Sequence, residues 1–105
     1  MSFKLLLNIL LICLLPMLSG NPIAEDGTFQ GQRLCGKVKV VDHGKAFKVK
    51  IVEHYPNLNV KIVSHYANDI GEWQFVEHDE DFCIRFVESY PDFTIRYVEH
   101  YPGRN

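Results

Sequence analysis

Histidine is the residue whose spacing most suggests chemistry in this sequence. All five histidines come two residues after a valine, and they are His43, His54, His65, His78 and His100. If folding gathered these imidazoles, they could bind Zn²⁺ or Cu²⁺, with Asp42 or Glu53 as added ligands. No two of them have the spacing of roughly three to five residues that is typical of zinc fingers and metalloproteases. A polar turn residue that recurs with its repeat is the competing interpretation.

Cysteine and serine offer the other reactive side chains. Cys35 and Cys83 form an even pair that predicts a disulfide in an oxidising compartment, the alternative being two buried thiols. Ser64 and Ser89 lie outside any Gly-x-Ser-x-Gly elbow, and the sequence has no phosphate-binding glycine loop. Carboxylates that recur with a repeat usually form a solvated or ion-paired face. The sequence therefore predicts a non-catalytic protein without a cofactor.

The first 20 residues predict a cleavable signal peptide. Lys4 gives the start a positive charge, and residues 5–15 are apolar except for Asn8. Gly20 ends a short stretch with the small residues of a cleavage site. The apolar run is shorter than the about 20 residues that a spanning helix needs. We therefore expect a secreted protein, extracellular or periplasmic, and no membrane association after cleavage.

The charge of the mature chain bears on its partners. The full chain has a net charge of −2, and removing Lys4 with the leader makes the mature chain more acidic by one unit. A weakly acidic domain has no electrostatic attraction to nucleic acid or to an anionic membrane. An extracellular protein or a glycan is the partner that remains.

The mature chain is a sixfold repeat, which must position all of these side chains. The units align on valines at spacings of 11, 11, 13, 11 and 11 residues, and the valines are Val41, Val52, Val63, Val76, Val87 and Val98. Each unit alternates apolar and polar residues, as in residues 47–51, which is typical of a half-buried strand. We predict strands near 36–42, 47–53, 58–64, 71–77, 82–88 and 93–99, within a domain at 35–102. Residues 21–34 show no period and are interpreted as an irregular segment.

The alternation also predicts the core and its covering. One repeat position should point inward in all six units, and its residues are Val38, Val49, Val60, Trp73, Ile84 and Ile95. Each unit ends on two adjacent apolar residues, such as Ile51 and Val52, so either the strand bends there or both of its faces are covered. A simple parallel stack would align like charges such as Lys39 and Lys50, which favours antiparallel or interleaved strands.

The turns carry a repeated tyrosine. Four tyrosines lie at turns, and they are Tyr55, Tyr66, Tyr90 and Tyr101. Pro56 and Pro91 follow two of them, in keeping with the backbone that a tight turn requires. These rings either face a partner or a sugar, or pack over the end of a barrel.

The repeat resembles a known family. The stretch 36–42 (GKVKVVD), the stretch 71–77 (GEWQFVE) and the recurrent Lys/Arg-apolar-Val-Glu strand ends are similar to the septoil-knot domain family. The resemblance implies an all-β domain of unknown function whose backbone forms a deep torus-type knot, a feature nearly absent among folds.

The fold class that follows is all-β. We expect one small domain of six short repeat strands, knotted as the resemblance implies, with an unknotted β-meander or small barrel as the alternative. We expect a non-catalytic extracellular binding or structural module; the alternative is a metal-binding protein that uses the histidine row.

Overall fold

The computed structural model describes residues 20–105, so the predicted signal peptide lies outside the described residues except for Gly20. The described residues form strands joined by turns, without a helix. The strands are β1 (Thr28–Phe29), β2 (Gln32–Arg33), β3 (Gly36–Val40), β4 (Phe47–Ile51), β5 (Leu58–Ile62), β6 (Glu72–Phe75), β7 (Phe82–Phe86), β8 (Phe93–Tyr97) and β9 (Gly103–Arg104). The all-β class and the presence of the six strands β3 to β8 are confirmed, but each strand ends two residues before its predicted end and β6 begins one residue later than predicted.

The six repeat strands close into a parallel barrel. Their order around the barrel is β3, β7, β4, β8, β5 and β6, and β6 pairs with β3 to complete the circle. β9 adds to β5 as a short antiparallel strand, and β1 pairs only with β2. Closure leaves the six repeat strands without a free edge along their paired residues.

The chain passes around this barrel in two interleaved circuits. From β3 to β4 and from β4 to β5 it skips one position each time, and the skipped positions are filled later by β7 and β8. Only the step from β5 to β6 goes to a neighbouring position, and it coincides with the longer interval between Val63 and Val76. The longer connection therefore marks the change from the first circuit to the second. This interleaving is consistent with the knotted fold.

A constant stagger explains how parallel strands tolerate rows of like charge. At each pairing the two strands are offset by two residues of the repeat, so that Lys50 lies opposite Thr94 and Arg96 opposite Asn59. Arg96 Nη2 also donates to Asn59 Oδ1 at 3.2 Å. Cations at the same repeat position consequently do not face one another, although Lys48 lies opposite Arg85. The predicted interleaving is confirmed in a parallel rather than an antiparallel form.

The predicted inward layer is confirmed. All six of its residues, Val38, Val49, Val60, Trp73, Ile84 and Ile95, are fully buried. Because the stagger is the same at every pairing, equivalent positions lie at one level along the barrel axis. A second apolar level at the amino ends of the strands includes Leu58, Phe82 and Phe93.

The N-terminal segment closes the amino end of the barrel. It was expected to be irregular, yet it contains the β1–β2 hairpin and contributes buried Ile23 and Leu34 to the core. The Phe29 ring lies 5.3 Å from the rings of Phe47 and Phe93, which begin β4 and β8. The segment thus replaces the solvent that would otherwise contact the amino-end layer.

The carboxyl end of the barrel stays open. The last residues of the six strands are apolar and 39–48% exposed, and they are Val40, Ile51, Ile62, Phe75, Phe86 and Tyr97. Pairing runs one-to-one up to Val40, which lies opposite Ile84, so no bulge bends the strand there. The next residue, Val41, is itself half-buried and donates its N–H to Ile84 O at 2.9 Å. Of the two explanations for adjacent apolar residues, partial covering of both faces is correct.

Candidate binding surface on the turns

Three of the four turns that cross over a strand are fastened to that strand. The turn from β7 to β8 crosses β4, where Asp92 N–H donates to Lys48 O at 2.7 Å and Lys48 N–H donates to Asp92 Oδ2 at 2.8 Å. Two other turns repeat this reciprocal clamp, through Asp81 with Lys37 and Asn57 with Thr94. The three clamp residues share one repeat position, five residues after the repeat valine. These three turns are therefore held rigidly against the barrel wall.

The residue in the middle of each turn has a left-handed backbone. It is always the third residue after the repeat valine, and the six residues are Gly44, Tyr55, Tyr66, Asp79, Tyr90 and Tyr101. Glycine adopts this conformation freely and aspartate is enriched in it, whereas a bulky side chain with positive φ is an outlier. The four tyrosines have φ between 55° and 59°. Each of the four tyrosine turns consequently carries a backbone cost on the order of 1 kcal/mol.

The four turn tyrosines gain no burial that would offset this cost. Their side chains are 84–92% exposed. The interpretation that these rings pack over the barrel end is therefore wrong, and they face solvent. We call Tyr55, Tyr66, Tyr90 and Tyr101 the tyrosine band.

Interleaving makes the tyrosine band continuous around the barrel. The tyrosines follow strands β7, β4, β8 and β5, which are consecutive neighbours in the barrel. Going around it, the order is Tyr90, Tyr55, Tyr101 and Tyr66. Gly44 and Asp79 follow β3 and β6, the two remaining neighbours. Turns that are far apart in sequence thus present one type of side chain over four of six positions.

The histidine row is distributed in the same way, because each histidine comes one residue before the left-handed residue of its turn. All five, His43, His54, His65, His78 and His100, are exposed. Three of them lie beside the following tyrosine, with ring centroids 6.5 Å apart for His54–Tyr55, 6.2 Å for His65–Tyr66 and 6.3 Å for His100–Tyr101. Between residues 20 and 105 no three His, Cys, Asp or Glu side chains are grouped as a metal site would require. The fold does not gather the histidines.

The predicted disulfide is absent, since Cys35 and Cys83 are both free. The register sets Cys83 opposite Lys39, and Cys35 lies four residues before Lys39, about 13 Å away along the strand direction. That separation exceeds what a disulfide can span. Each thiol contacts an oxygen instead: Cys35 Sγ lies 3.6 Å from Asn68 O, and Cys83 Sγ lies 3.7 Å from Glu80 Oε2.

The environments of the two thiols lower their reactivity. Burial raises the pKa of Cys35 above its ordinary value. Burial also raises the pKa of Cys83, and the adjacent Glu80 carboxylate adds to the effect. Both thiols are therefore held in the protonated, weakly nucleophilic form.

One open cavity lies where the repeated clamp is missing. In the first turn Ala46 occupies the clamp position and has no polar side chain to donate or accept. The cavity, about 440 Å³, is lined there by Lys45, Ala46, Phe47, Cys83 and Asp92 among others. Asp81 and Asp92, which both line the cavity, accept the N–H groups of Lys37 and Lys48.

Sequence reasoning did not predict two features of this surface, the clamps and the left-handed tyrosines, although the sequence contains a signal for each. The clamp residues recur at one repeat position, which marks them as turn residues with a shared role. The left-handed conformation of the tyrosines is indicated by Gly44 and Asp79 at the equivalent position. Residues 20–105 include no helix that is long and apolar enough to span a membrane.

These features define a class: an all-β repeat domain in which a closed parallel barrel is assembled from two interleaved circuits. The family model of the 7(1) septoil knot domain matches residues 31–105, and the chain belongs to this family. The predicted resemblance is thereby confirmed. The family is a domain of unknown function that carries no catalytic implication. A comparison with curated proteins gives no match.

Proposed function

We propose that the mature chain is an exported, non-catalytic module that binds an extracellular macromolecule through the tyrosine band. The observation that carries this proposal is the conflict between backbone and side chain at four equivalent turns. Tyr55, for example, has a φ of 55° and a side chain that is 92% exposed. Neither local conformation nor packing explains such a residue, and unfavourable backbone conformations of this kind cluster at functional sites.

The size of the conflict is appreciable against the stability of a small domain. Four left-handed tyrosines together cost about 4 kcal/mol, while a native domain is stable by only about 5–15 kcal/mol. The turn that contains Gly44 shows that the same left-handed position can be filled by glycine, which does not bear this cost. A binding role supplies a reason for tyrosine, because exposed aromatic rings contribute large contact areas with little conformational entropy to lose.

Export rests on the predicted leader, and the mass of the mature chain tests it. We expect the protein recovered outside the cell, or from the periplasm, to begin near Asn21. Recovery of an exported chain that retains Met1 would contradict cleavage.

The binding role is tested with two variants of the mature chain. In the band variant, all four band tyrosines are changed to Asn, which tolerates the left-handed conformation. The control is Tyr97→Phe, since Tyr97 is the fifth tyrosine of the chain and lies in β8 rather than in a turn. Immobilised proteins are incubated with extracellular material from the native source. We expect the wild type and Tyr97→Phe to capture the same macromolecule and the band variant to lose it, with an unfolding midpoint no lower than that of wild type. Equal capture by the band variant would refute the proposal.

A further inference from the structure

We infer that the ligand of the tyrosine band is a neutral polysaccharide chain, an inference that rests on the proposed function. The first argument is the repetition of the contact. The band offers the same side chain in the same backbone conformation at four neighbouring positions, and each ring is almost fully exposed rather than set in a pocket. A single contact of this kind is weak, and useful affinity requires several at once. A polymer of identical units can supply identical contacts at successive positions.

The second argument is the balance of charge beside the rings. Glu53 comes two residues before Tyr55, and Arg96 of the crossed strand approaches it, with Arg96 Nη1 donating to Glu53 O at 3.3 Å. Acidic and basic residues recur at fixed repeat positions, so the same two signs accompany the turns of Tyr90 and Tyr101, whereas the turn of Tyr66 carries the uncharged Ser64 at the acidic position. A polyanion would be repelled by one row and a polycation by the other. A neutral polymer meets neither penalty.

The third argument is the chemistry of the neighbouring side chain. His54, His65 and His100 lie beside band tyrosines, and an imidazole both donates and accepts hydrogen bonds. A sugar ring has an apolar C–H face, which can lie on an aromatic ring, and an edge of hydroxyl groups, which can bond to the imidazole. A proline-rich peptide would offer the apolar face without the hydroxyl edge. The paired tyrosine and histidine therefore favour a polyhydroxylated ligand.

The fourth argument is preorganisation. The reciprocal clamps at Asn57 and Asp92 fix the turns that carry Tyr55 and Tyr90 to the strands beneath them. Rigid turns lose little conformational entropy on binding, which strengthens contacts that are individually weak. Because four of the six positions span about half of the barrel, the band suits a polymer chain that curves around the wall, with its two clamped turns as the most rigid contacts.

The test is native gel electrophoresis of the mature chain through gels that contain a soluble polysaccharide. The probes are hydroxyethyl cellulose, glucomannan and the anionic polymer alginate, and a proline-rich peptide is measured separately by calorimetry. We expect at least one neutral probe to retard the wild type. Changing one band tyrosine to Asn should weaken the apparent affinity about 2- to 10-fold, the range expected for loss of one aromatic contact. The variant without all four tyrosines should migrate as it does in an empty gel.

A gain-of-contact variant sharpens the test. Gly44 follows β3, the barrel neighbour of β7, so Gly44→Tyr extends the band by one ring next to Tyr90. Nothing lies within 4 Å of a Cβ added at Gly44, so a side chain there starts in open space. We expect Gly44→Tyr to increase retardation several-fold although it lowers the unfolding midpoint. A loss of stability alone cannot produce that result.

The outcomes separate the ligand class from the binding role. If neither neutral probe retards the wild type, while capture of an extracellular macromolecule still depends on the band, the polysaccharide inference is overturned and the proposed function stands. Preference for alginate, or tight binding of the proline-rich peptide alone, also overturns the inference. If neither capture nor retardation depends on the tyrosines, both proposals fall.

Discussion

Replacing Trp73 by alanine should be among the most damaging single changes in this domain. Trp73 is fully buried in the inward layer, and its ring centroid lies 5.7 Å from that of Phe82 and 6.4 Å from that of Phe75. Its Nε1 donates to Leu34 O at 3.0 Å, which ties the barrel to the N-terminal segment. Truncating a buried aromatic side chain of this size costs about 3–5 kcal/mol.

Two further variants divide this cost into its parts. Leu34 O also accepts the N–H of Gly71 at 2.9 Å, so it is not left without a partner when the indole is removed. Trp73→Phe retains most of the ring and loses the indole bond, and we expect it to cost about 1–2 kcal/mol. Tyr55→Ala removes a side chain that is 92% exposed, and we expect a change below about 0.5 kcal/mol.

Equilibrium urea unfolding is the assay for all three variants. With a slope of about 1 kcal/mol per molar urea for a domain of this size, Trp73→Ala should lower the midpoint by about 3–5 M. Trp73 is the only tryptophan in the chain, so far-UV circular dichroism must replace fluorescence as the probe. A midpoint within about 1 M of wild type at an unchanged slope would show that Trp73 is not part of the core. The register would then be wrong by one residue, which would place the basic residues inward.

Three other perturbations test local features. Gly71 and Gly44 both have a φ of 91°, but a Cβ added at Gly71 would lie 2.5 Å from Asn59 O. Gly71→Ala should therefore lower the urea midpoint far more than Gly44→Ala. Similar losses of stability in the two variants would refute this contact. Asp92→Ala removes the bond to Lys48 N–H and should cost about 1–2 kcal/mol, whereas Asp92→Asn should retain most of the stability because Asn57 makes the same bond in another turn. Since the Glu80 carboxylate helps to raise the pKa of Cys83, Glu80→Gln should lower that pKa, increase the thiolate fraction and speed alkylation of Cys83 at about pH 8, with Cys35 as the internal control; an unchanged rate would show that the carboxylate has no influence.

The sequence predicts the interior of this fold better than its connectivity. Strand alternation has a period of two whatever the partner strand is, so Val38 and Trp73 could be placed inside without knowing their neighbours. Alternation carries no information on which strands pair or in which direction. The charge rows favoured interleaving, because aligned cations would repel, but they could not reveal the two-residue stagger that keeps cations at the same repeat position apart in parallel strands.

The candidate surface shows the same division. The tyrosines were recognised as turn residues, whereas their exposure depends on where the crossed strand lies, which the sequence does not specify. The disulfide prediction was wrong for a related reason. An even number of cysteines shows only that every cysteine could have a partner. Cys35 and Cys83 meet only if the chain aligns at those residues, and the register sets Lys39 opposite Cys83 instead.

The interleaved strand order also determines how much of the barrel can fold while the chain is still being synthesised. Every pairing within the barrel joins a strand from β3–β5 to one from β6–β8. The first three barrel strands, as they emerge from the ribosome, have none of their native barrel partners available. Domains built from such distant pairings fold slowly. A chain that is exported as proposed would therefore remain unfolded while it is being made, and an unfolded chain is the form that can be threaded through a translocation channel before the barrel closes.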